Sequence, residues 1–231
     1  TNVGMTLLGD VTNSGIMTNA TNGIADTATL TNSGTFTQVG ADTVLSYTQD
    51  GAGTFNGGSL TAATNTLNGG TVNGDLAGAA VNVNGAVALN GELTNGSVAV
   101  DTNNGGNLTT GSDERINNGG SVNVDLGGTL TLGGHETIQT LTGAGSVVNG
   151  NSLIIDDNGT NGTFAGVISG AGDLVKEGNG TLTLNGINTF TGDTNVNDGT
   201  LTLGGALAST QVNVAQGAIL NLDGGHLAAN S

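Results

Sequence analysis

The first candidate chemistry in this chain comes from carboxylates: Asp156 and Asp157 are adjacent, and Asp113-Glu114-Arg115 sets two acids beside one of only two cations. Paired carboxylates can serve as general acid and base, as polysaccharide cleavage requires. Neighbours on a strand point to opposite faces, so Asp156 and Asp157 converge only in a turn. Asn158-Gly159 directly after them predicts that turn. A lyase would also need a Lys or Arg base over the acids, and Arg115 and Lys176 are the whole supply. Arg115 is expected to pair with its own neighbours on a loop. His135 and His226 each follow a Gly-Gly pair and read as exposed turn residues. No Gly-x-Ser-x-Gly elbow occurs, so no serine triad is assembled. No catalytic residue is assigned.

Metal and cofactor chemistry fare similarly. Calcium-binding solenoids use Gly-Gly-x-Gly-x-Asp, and stretches such as Gly69–Asp75 and Gly127–Leu132 have the glycines without the Asp at the required offset. Scattered weak Ca²⁺ sites are the most that is expected, and no cofactor is. The chain has no cysteine, which removes disulfides, thiolate metal sites and a cysteine nucleophile. Thr-x-Thr units recur at Thr35/Thr37, Thr129/Thr131, Thr181/Thr183, Thr189/Thr191 and Thr200/Thr202. A flat array of such pairs could order water, as in ice-binding solenoids, only if it repeated on every coil. Gln211 and Asn213 in the strand expected over 210–214, and the missing pair at Ile219–Leu222, argue against it. The Asn-x-Ser/Thr sites are expected by chance in a chain this rich in Asn and Thr.

The elements that would position these groups are set by a repeat. Gly-Thr-Leu-Thr-Leu occurs at Gly180–Leu184 and again at Gly199–Leu203, 19 residues later. Leu182 and Leu184, like Leu201 and Leu203, share one strand face, and the threonines take the other. Two further strands are predicted between the units, Asn188–Thr191 around Phe190 and Thr194–Asn197 around Val196, with turns at Gly192-Asp193 and Asp198-Gly199. Three short strands and three turns per period predict a right-handed parallel β-helix, about 18–20 residues per coil, in which each strand stacks on its counterpart one coil later. Its inward stack is assigned to Leu182, Leu184, Phe190, Val196, Leu201, Leu203 and Leu220.

Composition agrees. Aromatics make up only 2% and Gly reaches 44 of 231 residues, which suits a narrow core of Leu, Val and Ile. Pro is absent, as expected of strands bonded on both sides. At ~4.8 Å per strand, about 12 coils would give a rod on the order of 60 Å long. Alternation at Val81, Val83, Val87 and Leu89, or Val98 and Val100, argues against a disordered Gly/Asn/Thr chain. The net charge is −16, with Asp10, Asp26, Asp42, Asp75, Asp101, Asp125 and Asp193 read as turn residues. Such a field disfavours nucleic acid and anionic membrane surfaces as partners. No apolar run approaches the ~18 residues of a membrane helix, so no membrane insertion by this segment is expected.

The stretch Phe164–Leu203, FAGVISGAGDLVKEGNGTLTLNGINTFTGDTNVNDGTLTL, resembles the passenger-associated repeat of bacterial autotransporters, type V secreted proteins whose exported passenger is usually a β-helix. Gly133–Asp157 is similar to the segment that leads into such a repeat, and the likeness covers roughly Gly127–Asp223. Upstream, Leu30–Thr37 and Gly119–Leu132 look like strand units of haemagglutinin-type adhesins. One continuous β-helix over 1–231 is therefore expected, haemagglutinin-like over 1–126 and autotransporter-repeat-like over 127–223. The resemblance implies a non-enzymatic, extracellular, cell-surface-displayed segment with a role in adhesion, cell-cell contact or biofilm. Its expected partners are surface glycans, proteins or its own copies. A self-assembling filament subunit is the alternative, and a polysaccharide-active enzyme a distant third. The least regular pattern, near Thr1–Asp26, is the one hint of a cap, and none follows Leu222.

Overall fold

The computed structural model describes residues 7–19, 23, 24, 26–95, 97–100 and 106–228. Over these the chain is all strand and turn, and every strand pairing is parallel. The strands stack into a β-solenoid of about 11 turns with no helix, so no helix among the described residues could cross a membrane. A fourteen-stranded sheet runs from Val11–Asn13 to Ile219–Leu222, a nine-stranded sheet from Ile16–Asn19 to Val167–Ser169, and a five-stranded sheet from Glu136–Ile138 to Val212–Val214.

The repeat that organises the sequence is in register. Leu182 pairs with Leu201 and Leu184 with Leu203, and Leu201 pairs in turn with Leu220. The period varies along the rod. Asn65 meets Val81 after 16 residues, while Val98 meets Val122 after 24. The main sheet crosses position 126 without a break, because Ser121–Val124 pairs directly with Thr140–Gly143.

Of the residues assigned to the inward stack, Leu182, Leu184, Phe190, Val196, Leu201 and Leu203 are fully buried, and Leu220 is half-buried against them. Asn188–Thr191 does not form the predicted strand. It makes an isolated bridge, Asn188 to Leu207, and the Thr189 and Thr191 N–H groups donate to the Ile168 and Gly170 carbonyls, but the Asn188 side-chain Oδ1 takes the Ile168 N–H at 2.9 Å where a backbone carbonyl would serve in a strand. Thr194–Val196 is a strand as read.

The core of the early coils is not purely apolar. Asn13, Asn32 and Gln49 occupy inward positions, and Asn13 Nδ2 donates to Asn32 Oδ1 at 2.8 Å. Beside them lie the largest rings, with Phe36 stacked on Phe55 at 5.7 Å and Tyr47 tilted against Phe55 at 5.8 Å. Within the segment read as a cap, Val11–Asn13 and Ile16–Asn19 already pair with the following coil.

Candidate functional site

The structure separates Asp156 from Asp157. Asp156 ends the strand Ser152–Asp156 and is exposed, while Asp157 turns inward and is sealed from solvent. Its Oδ2 lies 2.6 Å from Lys176 Nζ, and its Oδ1 accepts the Gly180 N–H at 2.6 Å. Lys176 is equally sealed and donates to the carbonyls of Glu177 and Gly178 at 2.5 and 2.7 Å. A pair with no solvent access and with both charges satisfied internally holds one coil to the next and cannot act on a substrate.

A second buried carboxylate, Glu136, closes a break in the third face. Strands Asp75–Gly78 and Leu93–Asn95 pair with each other, and Leu93 bridges onward to Ile116. There the ladder passes through a side chain, since Glu136 accepts the N–H groups of Arg115 and Ile116 at 3.0–3.1 Å. Burial pushes the Glu136 carboxyl above the usual range, against the opposing pull of those N–H donors. Asp42 repeats the device near the other end. It is almost fully buried, and its Oδ2 accepts from Gly23 and Ile24 at 3.1 Å and from Asn19 Nδ2 at 2.6 Å. Asp42 is therefore a core residue and not the turn residue its type suggested. Asp101 lies outside the described residues.

In the loop carrying Asp113, Glu114 and Arg115, the arginine bonds a neighbour on its own loop, as expected. Arg115 donates through Nε to Ser112 Oγ at 2.8 Å. Glu114 faces His135, whose Nε2 lies 3.1 Å away, and accepts from Thr137 Oγ1 at 2.9 Å. His135 is thus a half-buried partner of Glu114, while His226 is exposed. Among the described residues no three His, Asp or Glu side chains converge as a metal site.

Alternation supplied a signal for these buried charges. Asp42 stands two residues before the inward Val44, Glu136 two before Ile138, and Lys176 two after Leu174. A charge in phase with buried aliphatics has to be paired internally. Which group pairs with it depends on the neighbouring coil.

On the outer surface, one face is free of charge. The strands of the nine-stranded sheet contain no Asp, Glu, Lys or Arg. The main-path strands of the fourteen-stranded sheet hold only Asp42, in the corner-spanning Ala41–Gln49, but Asp10, Asp50, Asp125 and Asp223 stand at the ends of its strands. The third face is acidic, with Asp75, Glu92, Asp156, Asp173, Glu177 and Asp193 on its strands or at their ends. Acids there are tied coil to coil, as Glu92 N–H donates to Asp75 Oδ1 and Asp193 N–H to Asp173 Oδ1. The Thr-x-Thr units fall into register at Thr181/Thr183 and Thr200/Thr202, but Ala80/Asn82 and Ser121/Asn123 hold the same places elsewhere on that sheet. The array is interrupted, and Thr35/Thr37 and Thr129/Thr131 belong to the nine-stranded sheet.

Residues 174–203, which run from Leu174 through the buried Lys176 to Leu203, match the family model of the passenger-associated-transport-repeat. Over 92 residues, 38% of its length, the chain is 44% identical to the Adhesin BmaC autotransporter of Brucella suis biovar 1 (strain 1330). The chain spans about 2% of the length of that relative. No solved structure matches the chain. The repeat and the relative support an adhesin-like autotransporter passenger, and with it export to the cell surface.

Proposed function

We propose that this segment is part of the adhesive surface of an exported bacterial passenger: a rod whose long lateral faces contact surface glycans, matrix proteins or neighbouring cells. The reading is carried by the faces themselves. Polar, solvent-facing columns run coil after coil along continuous parallel ladders, while the buried charges Lys176–Asp157, Glu136 and Asp42 are spent on holding coils together. Many weak contacts along such a face add through multivalency, because each engaged site raises the local concentration of the next. The role is non-enzymatic, in keeping with a relative named as an adhesin.

The test is adherence of beads coated with the purified chain to epithelial monolayers and to immobilised matrix, against beads coated with an unrelated acidic protein. Adherence well above that control is expected. Equal adherence would overturn the reading, and clumping of coated beads with one another would replace it with self-association.

A further inference from the structure

The nine-stranded sheet has a dent of ≈ 300 Å³ on its outer side, lined by Gly70, Ala86, Val87, Ala88, Asn107 and Thr109. Register explains it. The central outward column of that sheet runs Thr54, Thr71, Ala88, Thr109, Thr131, and the column beside it runs Ala86, Asn107, Thr129. Ala88 interrupts a row of Thr, Ala86 opens the row that Asn107 and Thr129 continue, and Gly70, in register with the inward Val87, lines the dent with backbone alone. The result is a floor of methyl groups and backbone, edged by a carboxamide at Asn107 and a hydroxyl at Thr109.

We propose that this dent is a subsite for one pyranose ring of an uncharged, β-1,4-linked glycan lying along the rod, an inference that rests on the adhesive role proposed above. Charge selects the class of occupant. The sheet is neutral in a molecule of net charge −16, so an anionic glycan or a second copy of the chain meets repulsion, and a cationic partner is drawn to the acidic face. An uncharged sugar is left. Shape and polarity match a pyranose, which presents a C–H face to the alanine methyls and an edge of hydroxyls to Asn107 and Thr109. Period matches as well: an extended β-linked chain advances by roughly one strand spacing, ~4.8 Å, per sugar. With the ring over Ala88, the sugars flanking it therefore lie over Thr71 on one side and Thr109 on the other. Phe36, Phe55, Phe164, Phe190 and Tyr47 are all buried, so no aromatic ring stacks on the sugar. One dent binds weakly, and attachment comes from many displayed copies.

The test is an amide-shift titration of the whole chain with chitotetraose, alongside Ala88→Leu and the pair Asn107→Ala/Thr109→Val. Ala88 is exposed, so Leu fills the dent without entering the core, and an unchanged melting temperature verifies this. Shifts centred on residues 86–88 and 107–109 are expected, weakened about tenfold or more in Ala88→Leu. Unmoved amides, or equal shifts in Ala88→Leu, overturn the subsite. So does a heparin tetrasaccharide that moves the same amides as strongly. Ala88→Leu beads that adhere as well as wild type would sink the dent and leave the adhesive reading standing. Shifts with chitotetraose from a chain whose beads never adhere would do the reverse.

Discussion

Lys176 Nζ lies 2.6 Å from Asp157 Oδ2, and neither side chain touches solvent. The pair links the strand Asp173–Glu177 to the residue just past Ser152–Asp156, the strand with which it is in register from Ser152 to Asp156. Removing one partner leaves the other charged in an apolar stack, whereas removing both leaves only a packing problem.

Lys176→Met is therefore expected to cost ~3–5 kcal/mol, and the double variant Lys176→Met/Asp157→Leu to recover much of that. Thermal unfolding followed by circular dichroism of the single and double variants measures the coupling. A single variant as stable as wild type would show that the charges are not held as the geometry requires.

Leu201 is stacked between Leu182 and Leu220. Leu201→Asp buries a carboxylate with no partner and should destabilise by several kcal/mol, of order ~3–5. Leu220→Asp should cost clearly less, because Leu220 is half-buried and the new charge keeps some water. Equal losses in the two melting curves would count against the inward assignment of Leu201.

Glu136 sets a pH dependence. Burial raises its folded pKa above the unfolded value, so within that window the folded chain holds more protons. Its contribution to stability is therefore present below the ordinary carboxylate range and is lost as pH rises through the raised folded value. Glu136→Gln keeps an acceptor for the Arg115 and Ile116 N–H groups and removes the titration. Comparing unfolding midpoints from pH 4 to 8, a flatter profile for the variant is expected, and parallel profiles would remove Glu136 as the source.

Close coil approach rests on glycine at particular corners. A Cβ at Gly186 would sit 1.8 Å from the Gly166 carbonyl oxygen, and one at Gly166 would sit 1.9 Å from that of Gly145. Gly186→Ala must push two coils apart and should cost ~1–3 kcal/mol. Gly15→Ala, with nothing within 4 Å, should cost little. Loss of amide exchange protection around Gly166 in the first variant alone would locate the strain, and protection equal to wild type would refute it.

Much of this rod is legible in its sequence because a strand's facing is local. Alternation puts Leu182, Leu184, Leu201 and Leu203 on one side whatever lies beyond them, and the 19-residue recurrence of their motif states that identical units stack. The polar interior was less legible. Asp42 resembles a turn residue by type, and Glu136 stands in a stretch with no obvious role, yet both complete backbone ladders one coil away. The reason is the variable coil, 16 residues from Asn65 to Val81 but 24 from Val98 to Val122. Without the lengths of every corner, the residue above a given side chain cannot be counted out.

The sequence alone thus determined the parallel stack, its Leu and Val lining and, having no cysteine, its exclusion of thiol chemistry, since these follow from residue type and spacing. Only the tertiary structure decided that Lys176 meets Asp157, that the nine-stranded face stays free of charge, and that Ala86 and Ala88 floor a dent edged by Asn107 and Thr109. Those are relations across coils, and their register is set by the summed length of the corners between strands.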